Sequence, residues 1–108
     1  MNTKYIICIN LIFIVMILSK ITTAQVQFGV FADCQYCDCE TSGSRFYRNS
    51  LNKLEECIEH FNQNKKMDFV VGLGDLIDRD FSNFDNINQV LAASDKDVFQ
   101  VIGNHDLE

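Results

Sequence analysis

The chain has 108 residues, with nine basic against fifteen acidic side chains and a formal net charge of −6. That length allows one small domain with little core to spare. An acidic surface disfavours nucleic acid and anionic membrane as partners, although bound cations reverse the sign locally and admit an anionic substrate.

Residues 1 to 24 read as a secretory leader. Lys4 supplies a positive n-region, YIICINLIFIVMIL an apolar h-region, and Thr22 with Ala24 the small-residue pattern that places cleavage before Gln25. The apolar run falls short of the roughly 18 to 20 residues a spanning helix needs, and Asn10 interrupts it, so no stable membrane anchor is expected. The mature, secreted chain is then residues 25–108, with seven basic against fifteen acidic side chains and a net charge of −8.

Residues 26 to 32 predict a first strand, β-branched and aromatic without charge. Residues 33 to 44 form a loop of acids, cysteines and Gly43. A helix follows over about 45 to 62, with Tyr47, Leu51, Leu54, Ile58 and Phe61 on one stripe. FVVGL, residues 69–73, predicts a second strand, apolar on both faces as in a covered parallel sheet. After GDLIDRD, Ser82 reads as the N-cap of a short helix lined by Phe84, Ile87, Val90 and Leu91, with Asp85 three residues on. DVFQVI, residues 97–102, predicts a third strand, and GNHD follows it.

The order is β-α-β-α-β, and connections of this length make parallel pairs with right-handed crossovers. All three polar stretches lie just past the carboxyl ends of strands, the edge where open α/β sheets bind ligands. They bring Asp33, Gln35, Asp75, Asp78, Asn104, His105 and Asp106 to one edge. Carboxylates, amide oxygens and an imidazole suit divalent manganese, iron or zinc. Two such ions about 4 Å apart can clamp a phosphoryl displacement. A single GD or GNHD is an ordinary turn; three such stretches at three consecutive strand ends are not.

Other residues read less sharply. Asp78, Asp80 and Asp106 fit loop caps or outer acids as well as ligands. Arg45 and Arg48 fit either a substrate phosphate or neighbouring acids. His60 lies opposite the apolar stripe and is expected in solvent. Cys34, between Asp33 and Gln35, points away from them toward the core if the loop is extended. CQYCDC resembles a metal clip, but the second ligand pair of a structural zinc site is absent. A disulfide from Cys57 to Cys37 or Cys39 is the alternative use of these thiols.

D-x-Q at Asp33 and Gln35, GDLID and GNHD together resemble the first three motifs of the calcineurin-like metallophosphoesterases. Glutamine at the second position, with FGVFADCQY and RFYRNSL, is similar to the manganese-dependent ADP-ribose/CDP-alcohol diphosphatase branch. The resemblance implies the N-terminal part of a four-layer α/β/β/α sandwich. It implies a dinuclear site, manganese first and zinc or iron as alternatives, in which Asp33 and Gln35 bind one ion, Asp75 bridges both and Asn104 binds the second. It puts His105 at the phosphate, and a small nucleoside diphosphate derivative such as ADP-ribose in the site. The family's remaining ligands come from later histidines, one isolated and two in a Gly-His-x-His motif, so residues 25–108 are expected to be part of the catalytic domain and inactive alone. The competing readings are a phosphomonoesterase or cyclic-nucleotide phosphodiesterase on the same fold, and a secreted non-catalytic unit stapled by its cysteines.

Overall fold

A computed structural model describes residues 25–107, together with Lys4, Tyr5, Ile7 and Asn10. The leader expected over residues 1 to 24 otherwise lies outside the described residues, and so does its cleavage point. Among the described residues no helix is long and apolar enough to cross a membrane.

The elements are β1 (Phe28–Phe31), α1 (Asn49–Gln63), β2 (Phe69–Gly72), α2 (Asn83–Leu91) and β3 (Asp97–Gln100), followed by one 3₁₀ turn at His105–Leu107. The strands lie in the order β1-β2-β3, all parallel. Phe28 stands beside Phe69, and Phe69 beside Asp97. The α/β class and the β-α-β-α-β order are therefore as the sequence predicts.

The core forms because both helices turn an apolar stripe to the same sheet face. Leu54 and Ile58 of α1 meet Ile87 and Val90 of α2 in one buried cluster, and Val70 of β2 has no exposed surface. Three residues of this cluster come from loops, however: Tyr36, Leu76 and Ile77, the last with no exposed surface. Each such burial contributes about 1.5–3 kcal/mol. The loops past β1 and β2 are thus anchored by their own apolar side chains.

Several boundaries differ from expectation. Helix α1 starts at Asn49 because Ser42 and Arg45 exchange backbone hydrogen bonds at 3.1 and 3.0 Å, closing a small loop that holds Arg45 out of the helix. Ser82 stands at the N-cap of α2 but makes no side-chain cap. Its backbone N–H instead donates to Asp80 Oδ1 at 2.8 Å. An aspartate two residues earlier reaches that N–H without bending the chain out of helical geometry. Strand β3 ends at Gln100, although Val101 still donates to the Gly72 carbonyl at 2.9 Å.

The second sheet face carries Phe28, Val30 and Phe99, all about half exposed. Phe69 joins them, its ring stacked on Phe28 at 5.3 Å and edge-on to Phe99 at 5.7 Å. β2 is apolar on both faces as expected, but among the described residues helices cover only one.

Candidate metal centre

Past their last paired residues, β1 and β2 do not separate. The Asp33 N–H donates to the Gly74 carbonyl at 3.3 Å, that of Gln35 to the Asp75 carbonyl at 2.8 Å, and that of Tyr36 to the Leu76 carbonyl at 2.9 Å. Asp78 returns a bond to the Tyr36 carbonyl at 2.9 Å. The first two loops therefore run as a continued parallel ladder, with Asp33 and Gln35 alongside Asp75.

The backbone in this ladder is unusual. Asp33, Gln35 and Asp75 have φ of 53°, 43° and 53°, in the left-handed region. For residues with a Cβ this conformation costs on the order of 1–3 kcal/mol each and persists only where surrounding contacts impose it. The buried Tyr36, Leu76 and Ile77 are those contacts. The first loop is not extended, therefore, yet Cys34 still packs against the core, its thiol donating to the Ser50 carbonyl at 3.7 Å.

The third loop is knitted to the second by one side chain. The Asp106 carboxylate accepts backbone N–H bonds from Asp75 (2.9 Å), Leu76 (2.7 Å), Ile77 (3.1 Å) and Gly103 (2.8 Å). Asp106 is 2% exposed. Of the readings left open for it, the cap is the one the structure takes. The His105 N–H donates to Asp75 Oδ1 at 3.0 Å, and Asn104 beside it is exposed. The close approach needs two glycines. A Cβ on Gly74, whose φ is +97°, would stand 2.7 Å from the Gly103 nitrogen. One on Gly103 would fall on the Asp75 carboxylate and backbone nitrogen.

Around this centre the charged residues separate. Asp78 is 5% exposed and faces His105 Nδ1 at 3.9 Å and Arg45 Nη1 at 4.0 Å. Arg45 also lines a cavity of about 150 Å³ with Asp33 and Gln35. Arg48 turns away: its Nε donates to Asp38 at 2.6 Å and its Nη1 to Glu40 at 3.0 Å, and these carboxylates push its pKa up. Of the two readings of the arginines, Arg48 takes the acid pair. Asp80 serves α2 and is exposed; His60 is exposed, as expected. Buried Asn83 is a connector the sequence reading missed: its Nδ2 donates to the Asp78 carbonyl and its Oδ1 accepts from the Asp38 N–H, both at 3.2 Å. A larger cavity, about 420 Å³, lies between α1 and α2 and includes none of these residues.

The cysteine expectation needs correction. Cys37 and Cys39 are bonded to each other, and Cys34 and Cys57 are free thiols. Cys57 sits on α1 facing Cys34 across a cavity, not the Cys37–Cys39 loop. Burial pushes the Cys34 thiol up to about 11; the Ser50 hydrogen bond acts the other way and nearby Cys57 adds to the rise. Burial also raises Cys57.

Asp33, Gln35, Asp75 and Asn104 offer two carboxylates and two carboxamides, a hard-oxygen set that suits manganese. Among the described residues no three His, Cys, Asp or Glu side chains converge closely enough to hold an ion by themselves. The donor chemistry fits part of a divalent-metal site.

Three polar loops thus meet at the carboxyl edge of a parallel α/β sheet, and residues 26–108 match the calcineurin-like phosphoesterase family. The chain belongs to that family. It is 37% identical over 93 residues to a manganese-dependent ADP-ribose/CDP-alcohol diphosphatase of Arabidopsis thaliana, covering 72% of this chain and 29% of that protein. The protein of the same name in Xenopus tropicalis is 36% identical over 93 residues, covering 73% and 27% respectively. The crystal structure of a dimetal phosphatase from Danio rerio superposes with a TM-score of 0.65 at 31% identity, covering 75% of this chain and 30% of that one. The chain thus spans less than a third of the length of these relatives.

Proposed function

We propose that this chain contributes the first half of a dinuclear metal centre that hydrolyses the pyrophosphate of nucleoside diphosphate derivatives, ADP-ribose or a CDP-alcohol. The observation that carries the reading is the convergence of three loops on one sheet edge, with left-handed backbone at Asp33, Gln35 and Asp75. Asp33 and Gln35 would hold one ion, Asp75 both and Asn104 the second. Manganese is the favoured metal, as the relatives' names support; zinc and iron suit the same donors. Such ions supply Lewis acidity toward phosphate oxygens. The remaining ligands would come from histidines further along a longer chain.

The chain's own residues then divide the work. The His105 N–H fixes one oxygen of Asp75. The His105 imidazole, facing buried Asp78, would donate a proton to the leaving oxygen. Arg45, on the small cavity beside Asp33 and Gln35, would meet a phosphate as a second cation. The same reading makes residues 1 to 24 a leader and the mature protein secreted; N-terminal mass spectrometry of secreted material should find Gln25 first, and intact Met1 in a membrane fraction would refute this.

Manganese titration by calorimetry tests the centre. Binding is expected to the chain and to be weakened at least tenfold by Asp75→Asn, but unchanged by Asp80→Asn, whose carboxylate only caps α2. Equal effects of the two substitutions would overturn the assignment. In a catalytically active form, AMP release from ADP-ribose should exceed hydrolysis of a phosphomonoester or a cyclic nucleotide; the reverse preference would favour the competing phosphoesterase readings.

A further inference from the structure

We propose that Cys34 and Cys57 are a disulfide-forming pair that ties the Asp33–Gln35 loop to helix α1. Residues 25–108 contain four cysteines, and the Cys37–Cys39 bond leaves these two. Both line one cavity of about 260 Å³, together with Phe31, Ser50, Lys53 and Leu54. The Cys34 thiol already reaches α1, donating to the Ser50 carbonyl at 3.7 Å. Cys57 lies seven residues, about two turns, beyond Ser50 on the same helix face. Helical side chains lean toward the N-terminus, which brings the Cys57 sulfur back toward Cys34. The cavity gives the two sulfurs room to approach.

Closure is a two-electron oxidation. Each thiol gives up its proton, the Sγ–Sγ bond forms, and the electrons pass to a small-molecule disulfide such as oxidised glutathione, which leaves as two thiols. An oxidising compartment, as a secreted protein meets, supplies that reagent class. The bond would restrict the unfolded chain between Cys34 and Cys57 and hold the left-handed loop against the helix. This site is independent of whether the neighbouring loop binds metal.

The test is peptide mapping of the full chain after equilibration in reduced and in oxidised glutathione. Trypsin with chymotrypsin cuts after Tyr36 and so separates Cys34 from Cys37. A Cys34–Cys57 linked peptide is expected under oxidising conditions, with the thermal midpoint raised by about 5 °C or more over the reduced protein. Cys57→Ala and Cys34→Ser should each abolish both the linked peptide and the rise. Two alkylated thiols after full oxidation would overturn the proposal. So would a bond from Cys57 to Cys37 or Cys39, or a linked peptide without any gain in thermal midpoint. Manganese titration of both redox forms keeps the two readings apart: absent binding in both refutes the metal centre and leaves the mapped disulfide standing.

Discussion

The Asp106 carboxylate accepts the backbone N–H of Asp75 at 2.9 Å, and through its other bonds it makes the second and third loops one unit. A buried acid that satisfies four N–H groups is a structural staple placed one residue from a candidate catalytic histidine. Its removal leaves those donors unsatisfied in the core. Asp106→Ala should destabilise the fold by about 3–5 kcal/mol, and Asp106→Asn by less, since one acceptor oxygen remains. Urea denaturation measures both; losses under about 0.5 kcal/mol would show that the loops hold together without the staple.

Gly103 lies where the loops touch. A Cβ there meets Asp75 on its side chain and its backbone, and neither can swing away, because Asp75 is held by Gln35, His105 and Asp106. Gly103→Ala should cost about 1–3 kcal/mol through forced backbone shifts and should weaken manganese binding more than Gly43→Ala, whose added Cβ would meet open space. Equal manganese affinity in the two variants would refute the claim that loop spacing sets the centre.

Much of this arrangement was legible in the chain. Apolar, β-branched runs located the three strands and helical apolar stripes the two helices, though not the closing 3₁₀ turn, and the placement of Asp33, Asp75 and Asn104 after strands put them on one edge. What the sequence concealed was backbone and partner choice. Nothing in ADCQY shows that Asp33 and Gln35 lie in the left-handed region, because that is imposed by Tyr36 and Ile77 packing in the core. Asp106 and Asp78 are both acids near the site; only burial and hydrogen bonds separate the staple from the acid facing His105. The cysteine pairing failed for the same reason: spacing admits three patterns, and the fold sets Cys57 on a cavity shared with Cys34 while Cys37 bonds Cys39 within its own loop.

Two surface carboxylates should titrate low. The Ser82 backbone and side-chain hydrogen bonds hold Asp80 below its ordinary 3.8, and Lys96 with Lys65 do the same for Asp95. A carboxyl depressed in the folded state stabilises above its unfolded pKa, and that contribution is lost as pH falls through the lower folded value. The start of α2 and the turn before β3 should therefore loosen only below about pH 3.8, with no change between pH 5 and 8. NMR titration of the two carboxyl carbons reads this directly, and midpoints at or above 3.8 would contradict it.

His105 offers the sharpest separation of roles, because its backbone and its imidazole do different things. The backbone N–H holds Asp75 Oδ1 at 3.0 Å, and that bond survives any side-chain substitution that keeps the turn. The imidazole faces buried Asp78 with Nδ1 at 3.9 Å from its oxygen. If the imidazole protonates the leaving oxygen, His105→Ala should leave manganese affinity of the chain within about twofold, since no metal donor is removed. In a catalytically active form of the protein, turnover of ADP-ribose should fall by about 10² to 10⁴, the range for losing one general acid or charge-stabilising group. A diester with a nitrophenyl leaving group, which needs no proton, should lose much less. Asp78→Asn should lower turnover without abolishing it, since that acid touches no substrate itself and acts through the two cations it faces, the His105 imidazole and Arg45. Loss of manganese from the His105→Ala variant would make His105 a ligand; equal loss on both substrates would leave it a charge stabiliser and remove the proton from its assignment.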